Sequence, residues 1–201
     1  MKDYQQQQLN RLQAWRSDLN DLIGNLPRLF IEADGTGDYS AVKSILQKKS
    51  WERYENYKQF NGHRVRQLHN QSWENDLLWG QVGELLDFFM TKVQTGNVME
   101  WKKVGPKGID FFTECGYEDT KWSLNKWKDF PIELKSKGNQ SHHWNYVDEG
   151  KPVYLRFINP EGCWRIKLFP EMKLKHSRSF NNGATELYDC PKEKFEKVWN
   201  W

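Results

Sequence analysis

Two short stretches carry acidic and basic side chains suited to a phosphodiester. In "GPKGIDFF", Asp110 stands between Ile109 and the pair Phe111-Phe112. A carboxylate in such apolar company is costly unless it is paired or bound to a cation. In "DFPIELKSKGN", Glu133 and Lys135 alternate with Ile132 and Leu134. Period-two alternation predicts a strand with Glu133 and Lys135 on one face and the two aliphatic residues buried on the other. Phosphodiester hydrolysis needs a water made nucleophilic near neutral pH and charge neutralised on the phosphate. Two carboxylates can hold Mg²⁺, which prefers oxygen ligands, and the ion polarises the phosphoryl oxygen and acidifies water. A lysine two positions along the same strand face lies roughly 6–7 Å from the acid, within reach of developing charge. A plain half-exposed edge strand accounts for the same alternation, so the partners of these residues matter.

The elements that must position them are legible as patterns. "GIDFFTEC" predicts a strand that begins near Asp110, and "FPIELKSKG" another that holds Glu133. The polar connection between them would let the two strands lie side by side and bring both carboxylates to one end of a sheet. Upstream, Leu77, Leu78, Val82, Leu85, Leu86, Phe89 and Val93 recur at helical spacing, with Glu84 at the edge of that apolar stripe. "VMEWKKV", "VYLRFIN" and "CWRIKLF" predict further strands, the last two joined by a hairpin turn at Asn159-Pro160-Glu161-Gly162. The stretch from Asn139 to Lys151, with His142, His143 and Trp144, predicts a solvent loop. At the start, Leu9, Leu12, Trp15, Leu19, Leu22 and Ile23 predict a helix over 4–26, ended by Gly24 and Pro27. "RLFIEADGTGDYSAVKSILQKK" then predicts a short strand, a glycine turn, and a helix capped by Asp38 or Ser40. About fifteen residues there resemble the opening of pectinesterase-type β-helices, but no repeat follows. "PKEKFEKVWNW" predicts a short amphipathic, helical end.

"GID" followed by "IELKSKG", downstream of a helix bearing "GQVGE", resembles the PD-(D/E)xK nuclease superfamily over roughly residues 76 to 170. This is the restriction-endonuclease-like fold, also used by Holliday-junction resolvases and by homing, repair and phage nucleases. The resemblance implies an α/β fold, with a central mixed β-sheet flanked by helices and here preceded by an N-terminal helical extension. It implies catalytic roles for Glu84, Asp110, Glu133 and Lys135, with Asp110 and Glu133 on the metal. It implies Mg²⁺ as cofactor, with Mn²⁺ as substitute. One departure is that the first motif opens on Gly108 rather than on proline. Glu114 is a further candidate ligand, since it falls four residues after Asp110.

On this reading residues 1–75 form a basic, aromatic helical extension and 76–201 the nuclease core. A net charge of +3 does not by itself mark a nucleic-acid binder. Two zones, 41–68 and 151–178, are nevertheless rich in Lys and Arg and poor in acid, and such patches favour polyanions. Arg64, Arg66, Lys107, Lys137, Arg156, Arg165 and Lys167 are the expected DNA-backbone contacts. Trp122, Trp127 and Trp144 are candidates for stacking on bases, although packing is the commoner use of Trp. Cutting both strands of DNA would suit a homodimer or a higher homo-oligomer. Cys115, Cys163 and Cys190 have no CxxC spacing, so neither a disulfide framework nor a zinc ribbon is expected. No apolar run reaches the roughly 18 residues of a membrane span, and "MKDYQQQQLN" is too polar for a leader. A cytoplasmic protein, of host, phage or mobile-element origin, is the expectation. The sequence therefore points to a metal-dependent DNA endonuclease of restriction or homing type. The alternatives are a junction resolvase or repair nuclease of the same fold, and a non-catalytic DNA-binding or interaction protein. A carbohydrate-active protein has only "ADGTGDYSAV" in its favour.

Overall fold

The computed structural model describes residues 3–49, 71–96, 99–101, 109–122, 128–159 and 161–200. The chain divides into two compact units, Met1–Val93 and Gln94–Asn200.

The first unit is helical. Helix α1 runs over Asp3–Thr36, through both Gly24 and Pro27. Proline removes a hydrogen bond and normally breaks a helix interior. Here Leu19, Leu22, Leu26, Phe30 and Ala33 form one continuous buried stripe across it. Burial of that stripe outweighs the local penalty, and the expected strand after residue 27 is helix instead. The helix stops at Gly37, whose φ of 72° and N–H bond to the Ala33 carbonyl (2.8 Å) mark a left-handed C-terminal cap. Helix α2 spans 40–49, and Asp38 caps it as expected, accepting the Ser40 N–H at 2.9 Å. Helix α3, Gln71–Thr95, buries Val82, Leu86, Phe89 and Met90. Phe89 stacks on Phe30, and Lys92 pairs with Asp34 at 2.7 Å.

The second unit is built from two sheets. The larger has the order β1 (Glu100–Trp101), β2 (Phe111–Thr113), β3 (Gly116–Trp122), β6 (Val153–Asn159), β7 (Gly162–Lys167), β10 (Glu196–Trp199). All its neighbours are antiparallel except β3 and β6, so the sheet is mixed. A parallel pair needs a long crossover. Between β3 and β6 the chain forms β4 (Asp129–Ser136), β5 (Asn139–Gln140) and helix α4 (His142–Asp148). β4 and β5 belong to the second sheet, of order β5-β4-β9-β8, with β8 at Arg178–Phe180 and β9 at Thr185–Pro191. The alternation read in "FPIELKS" holds. Phe130, Ile132 and Leu134 are buried against Leu155 and Phe157 of β6, Trp164 and Ile166 of β7, and Trp144 and Val147 of α4.

In this second unit four further expectations change. The polar connection after Cys115 is strand β3. Consequently β2 pairs with β3, not with the strand of Glu133, and the two expected metal ligands lie on different sheets. The solvent loop with the histidines is α4. The helical end is β10, which pairs with β7 at the sheet edge and buries Trp199.

Candidate functional site

β3 positions the site. Its first residue, Gly116, has a φ of 139°, and a Cβ there would lie 2.4 Å from the Pro152 carbonyl oxygen. Only glycine lets β3 start so close to the chain that leads into β6. Side chains then alternate, with Asp119 and Lys121 on one face and Glu118 and Thr120 on the other. The parallel register sets Asp119 beside Leu155 and Lys121 beside Phe157, so this face looks into the core. The β2–β3 register pairs Phe111 with Glu118. Just before the paired residues, Asp110 Oδ2 accepts the Thr120 backbone N–H at 2.7 Å, which holds its carboxylate against β3 between Asp119 and Lys121.

Helix α4 brings two histidines to the same place. His142 Nε2 lies 3.4 Å and His143 Nδ1 3.7 Å from Asp119 Oδ2, and the three atoms lie within 4.8 Å of one another. Asp119 and His143 are each 1% exposed. All three atoms are buried without a hydrogen-bond partner among the described residues. Lys121 Nζ is 2.9 Å from the same Asp119 oxygen, an ion-pair contact outside hydrogen-bond geometry, while its side chain keeps 40% of its surface accessible.

The titration behaviour follows from this packing. Burial pushes the Asp119 carboxyl up, but the Lys121 ammonium beside it outweighs burial and holds the group well below the usual carboxylate range. Burial pulls the Lys121 ammonium down, and the charges of Asp119, then Asp110 and Glu133, more than restore it. Burial keeps His143 below its ordinary value, with Asp119 opposing. His143 Nε2 lies 3.0 Å from the Glu133 carbonyl oxygen, which also accepts the Trp144 Nε1–H at 2.9 Å. A carbonyl only accepts, so Nε2 carries the proton and Nδ1 presents a lone pair.

The expected site residues distribute unevenly. Asp110 is at this cluster, and Glu133 borders it through its charge on Lys121 and its carbonyl on His143. The Glu133 carboxylate itself accepts the Ser141 hydroxyl at 2.7 Å. Lys135 is held elsewhere, paired with Glu186 at 2.8 Å across β4–β9, where a bulge shifts the register between Glu133 and Lys135. Glu84 lies on α3 in the first unit. Glu114 is exposed in the β2–β3 turn, at the other end of β2 from Asp110. Lys137 is an exposed turn residue with φ of 51°, as the two-residue β4–β5 hairpin requires. Lys107, Arg64, Arg66 and Trp127 lie outside the described residues. Trp144 is fully buried and packs.

Arg156 and Arg165 face the other side of the large sheet, in line with Thr120. Arg156 is 1% exposed and donates to Glu118 at 2.8 Å, so its charge is already occupied. Arg165 lies 2.9 Å from Glu196, 3.4 Å from Glu118, and over the Tyr154 ring. Lys167, on the same face, is exposed over Phe169.

Asp119, Lys121 and the histidine pair escaped sequence reasoning. Asp119-Thr120-Lys121 is itself an acid-x-lysine triplet. A turn at Glu114-Cys115 would have placed it beside Asp110. Comparison of the chain with protein-family models, with curated proteins and with solved structures gives no match.

Proposed function

We propose that the protein is a metal-dependent phosphodiester hydrolase acting on DNA, with its centre at Asp110, Asp119 and Lys121 rather than at Glu133 and Lys135. The observation that carries this reading is an acid-x-lysine pair on β3, with the Asp110 carboxylate held on the Thr120 N–H between the two and its charge felt by Lys121. The mixed sheet is in keeping with a restriction-endonuclease-like core. Asp119 offers an oxygen suited to a divalent ion, and the two histidines offer nitrogens beside it; Asp110 adds a second carboxylate on the neighbouring chain. Such an ion, when bound, supplies Lewis acidity that polarises a phosphoryl oxygen and lowers the pKa of water.

The chain's own groups do the rest. Asp110 is held in place by the Thr120 N–H. Asp119 stays ionised despite burial. Lys121 keeps its proton at neutral pH on a side chain that is 40% accessible, and an ammonium there can stabilise charge developing on a phosphate. Glu133, through Ser141 and through its carbonyl on His143, fixes the neighbouring α4 in position. A His-His-Asp donor set also serves non-haem iron oxygenases. The ammonium beside the shared carboxylate favours chemistry on an anion instead.

The test is cleavage of supercoiled plasmid and of branched DNA with Mg²⁺ or Mn²⁺. Lys121→Met is expected to slow the wild-type rate by about 100-fold or more, and Lys135→Ala to change it by less than about twofold. Plasmid products with defined ends point to a sequence-specific enzyme, and preference for branches to a resolvase. Equal loss in both variants, or no cleavage of either DNA, overturns the assignment.

A further inference from the structure

We propose that Asp119 Oδ2, His142 Nε2 and His143 Nδ1 form a site for a divalent first-row transition metal of the Mn²⁺, Fe²⁺, Co²⁺ or Zn²⁺ class, in preference to Mg²⁺. The site shares Asp119 with the hydrolase reading but stands on its own geometry.

The argument starts from an unmet need. Three buried polar atoms converge without a hydrogen-bond partner among the described residues. Buried polar groups are rarely left so. Two of the three are acceptors aimed at one another. His143 spends its proton on the Glu133 carbonyl, so its Nδ1 lone pair faces a carboxylate oxygen at 3.7 Å. No hydrogen bond joins two acceptors, whereas a cation between them satisfies both. Ligands about 2.0–2.2 Å from one ion stand roughly 3.0–3.5 Å apart. The separations of 3.4 and 3.7 Å therefore need little contraction. The Nε2–H bond to a backbone carbonyl is also how metal-ligating histidines are commonly oriented.

Donor type then selects the ion. Mg²⁺ takes oxygen and gives up water reluctantly. Two imidazoles and one carboxylate suit the later first-row metals. Lys121 competes for the same Asp119 oxygen, and its accessible side chain can swing outward when a metal arrives.

The experiment uses the full chain with Cys115→Ser, which removes an exposed thiol that could bind the probe. Chelator-stripped protein is titrated with Co²⁺, Mn²⁺, Zn²⁺ and Mg²⁺ by calorimetry, and Co²⁺ is also followed by its visible absorption. One equivalent of transition metal is expected, bound at least about 100-fold more tightly than Mg²⁺. His142→Ala and His143→Gln should each weaken Co²⁺ binding by at least about tenfold and change its spectrum. Lys121→Met should tighten binding, because it removes a competing charge. His142 is the safer variant for folding, since its side chain is 29% accessible, and circular dichroism checks both. Mg²⁺ bound as tightly as Co²⁺, or Co²⁺ binding indifferent to both histidines, overturns the proposal. Metal binding without DNA cleavage would sink the hydrolase and leave this site. DNA cleavage together with Co²⁺ binding indifferent to both histidines would do the reverse.

Discussion

β3 and β4 each carry an acid-x-lysine triplet, and the molecule treats them in opposite ways. On β4, Glu133 and Lys135 lie on the outer face of the second sheet. Lys135 is matched with Glu186 across the strand, and Glu133 takes the Ser141 hydroxyl. Every charge there has an ordinary partner, in the manner of a solvated strand face. On β3, Asp119 is sealed into the core beside Lys121 and under two histidines, with buried atoms left without a hydrogen-bond partner among the described residues. The same triplet is surface chemistry in one place and a latent site in the other. What separates them is the company supplied by other elements. Incomplete satisfaction of buried polar atoms is the better guide to function.

The sharpest way to break this comparison is Asp119→Asn. It is close to isosteric and removes the charge that holds Lys121 and faces both imidazoles. Loss of DNA cleavage by more than about 1,000-fold is expected, on the scale of groups that act in the transition state. Activity near wild type would return attention to β4.

The next test concerns the reverse face of β3. Glu118 is fully buried and paired with Arg156. Arg156→Met should destabilise the protein by about 3–5 kcal/mol in denaturant melts, because it strands a buried carboxylate. Below the melting range it should leave Co²⁺ binding intact. A variant as stable as wild type would mean that Arg165 and the Thr113 hydroxyl suffice to satisfy Glu118, and that the two faces of β3 are less distinct than their contacts suggest.

The smallest effect belongs to β4. Glu186→Gln, which breaks the exposed pair with Lys135, should change stability by less than about 1 kcal/mol. A larger change would show that β4 carries more than a surface pair.

Much of the scaffold was legible in the sequence, and the misreadings share a cause. β6 and β7 announced themselves through dense apolar runs around a strong turn. The burial of Ile132 and Leu134 followed from alternation. β3 did not, because "GYEDTKW" has too few aliphatic residues for the usual pattern. Its inner positions hold Tyr117, Asp119 and Lys121, two of them the polar groups that build the site. The histidines were read as loop for a related reason. Helix α4 is only seven residues long and carries little periodicity, and it exists because Trp144 and Val147 dock into the core. Propensity at Pro27 misled in the same way, since tertiary burial on both sides of it sustains α1.

The sequence by itself determined the types of group available and the mixed α/β character. It also determined that Asp110 stands at a strand edge in apolar surroundings. It contained two triplets of equal local quality and no means of ranking them. Only the tertiary structure decided between them, because ranking depends on register and burial. The β2–β3 pairing brings Asp110 to the Thr120 N–H beside Asp119, and the crossover through α4 carries His142 and His143 over the Asp119 carboxylate. Contacts between residues distant in sequence fix which polar atoms meet a hydrogen-bond partner and which are brought together without one.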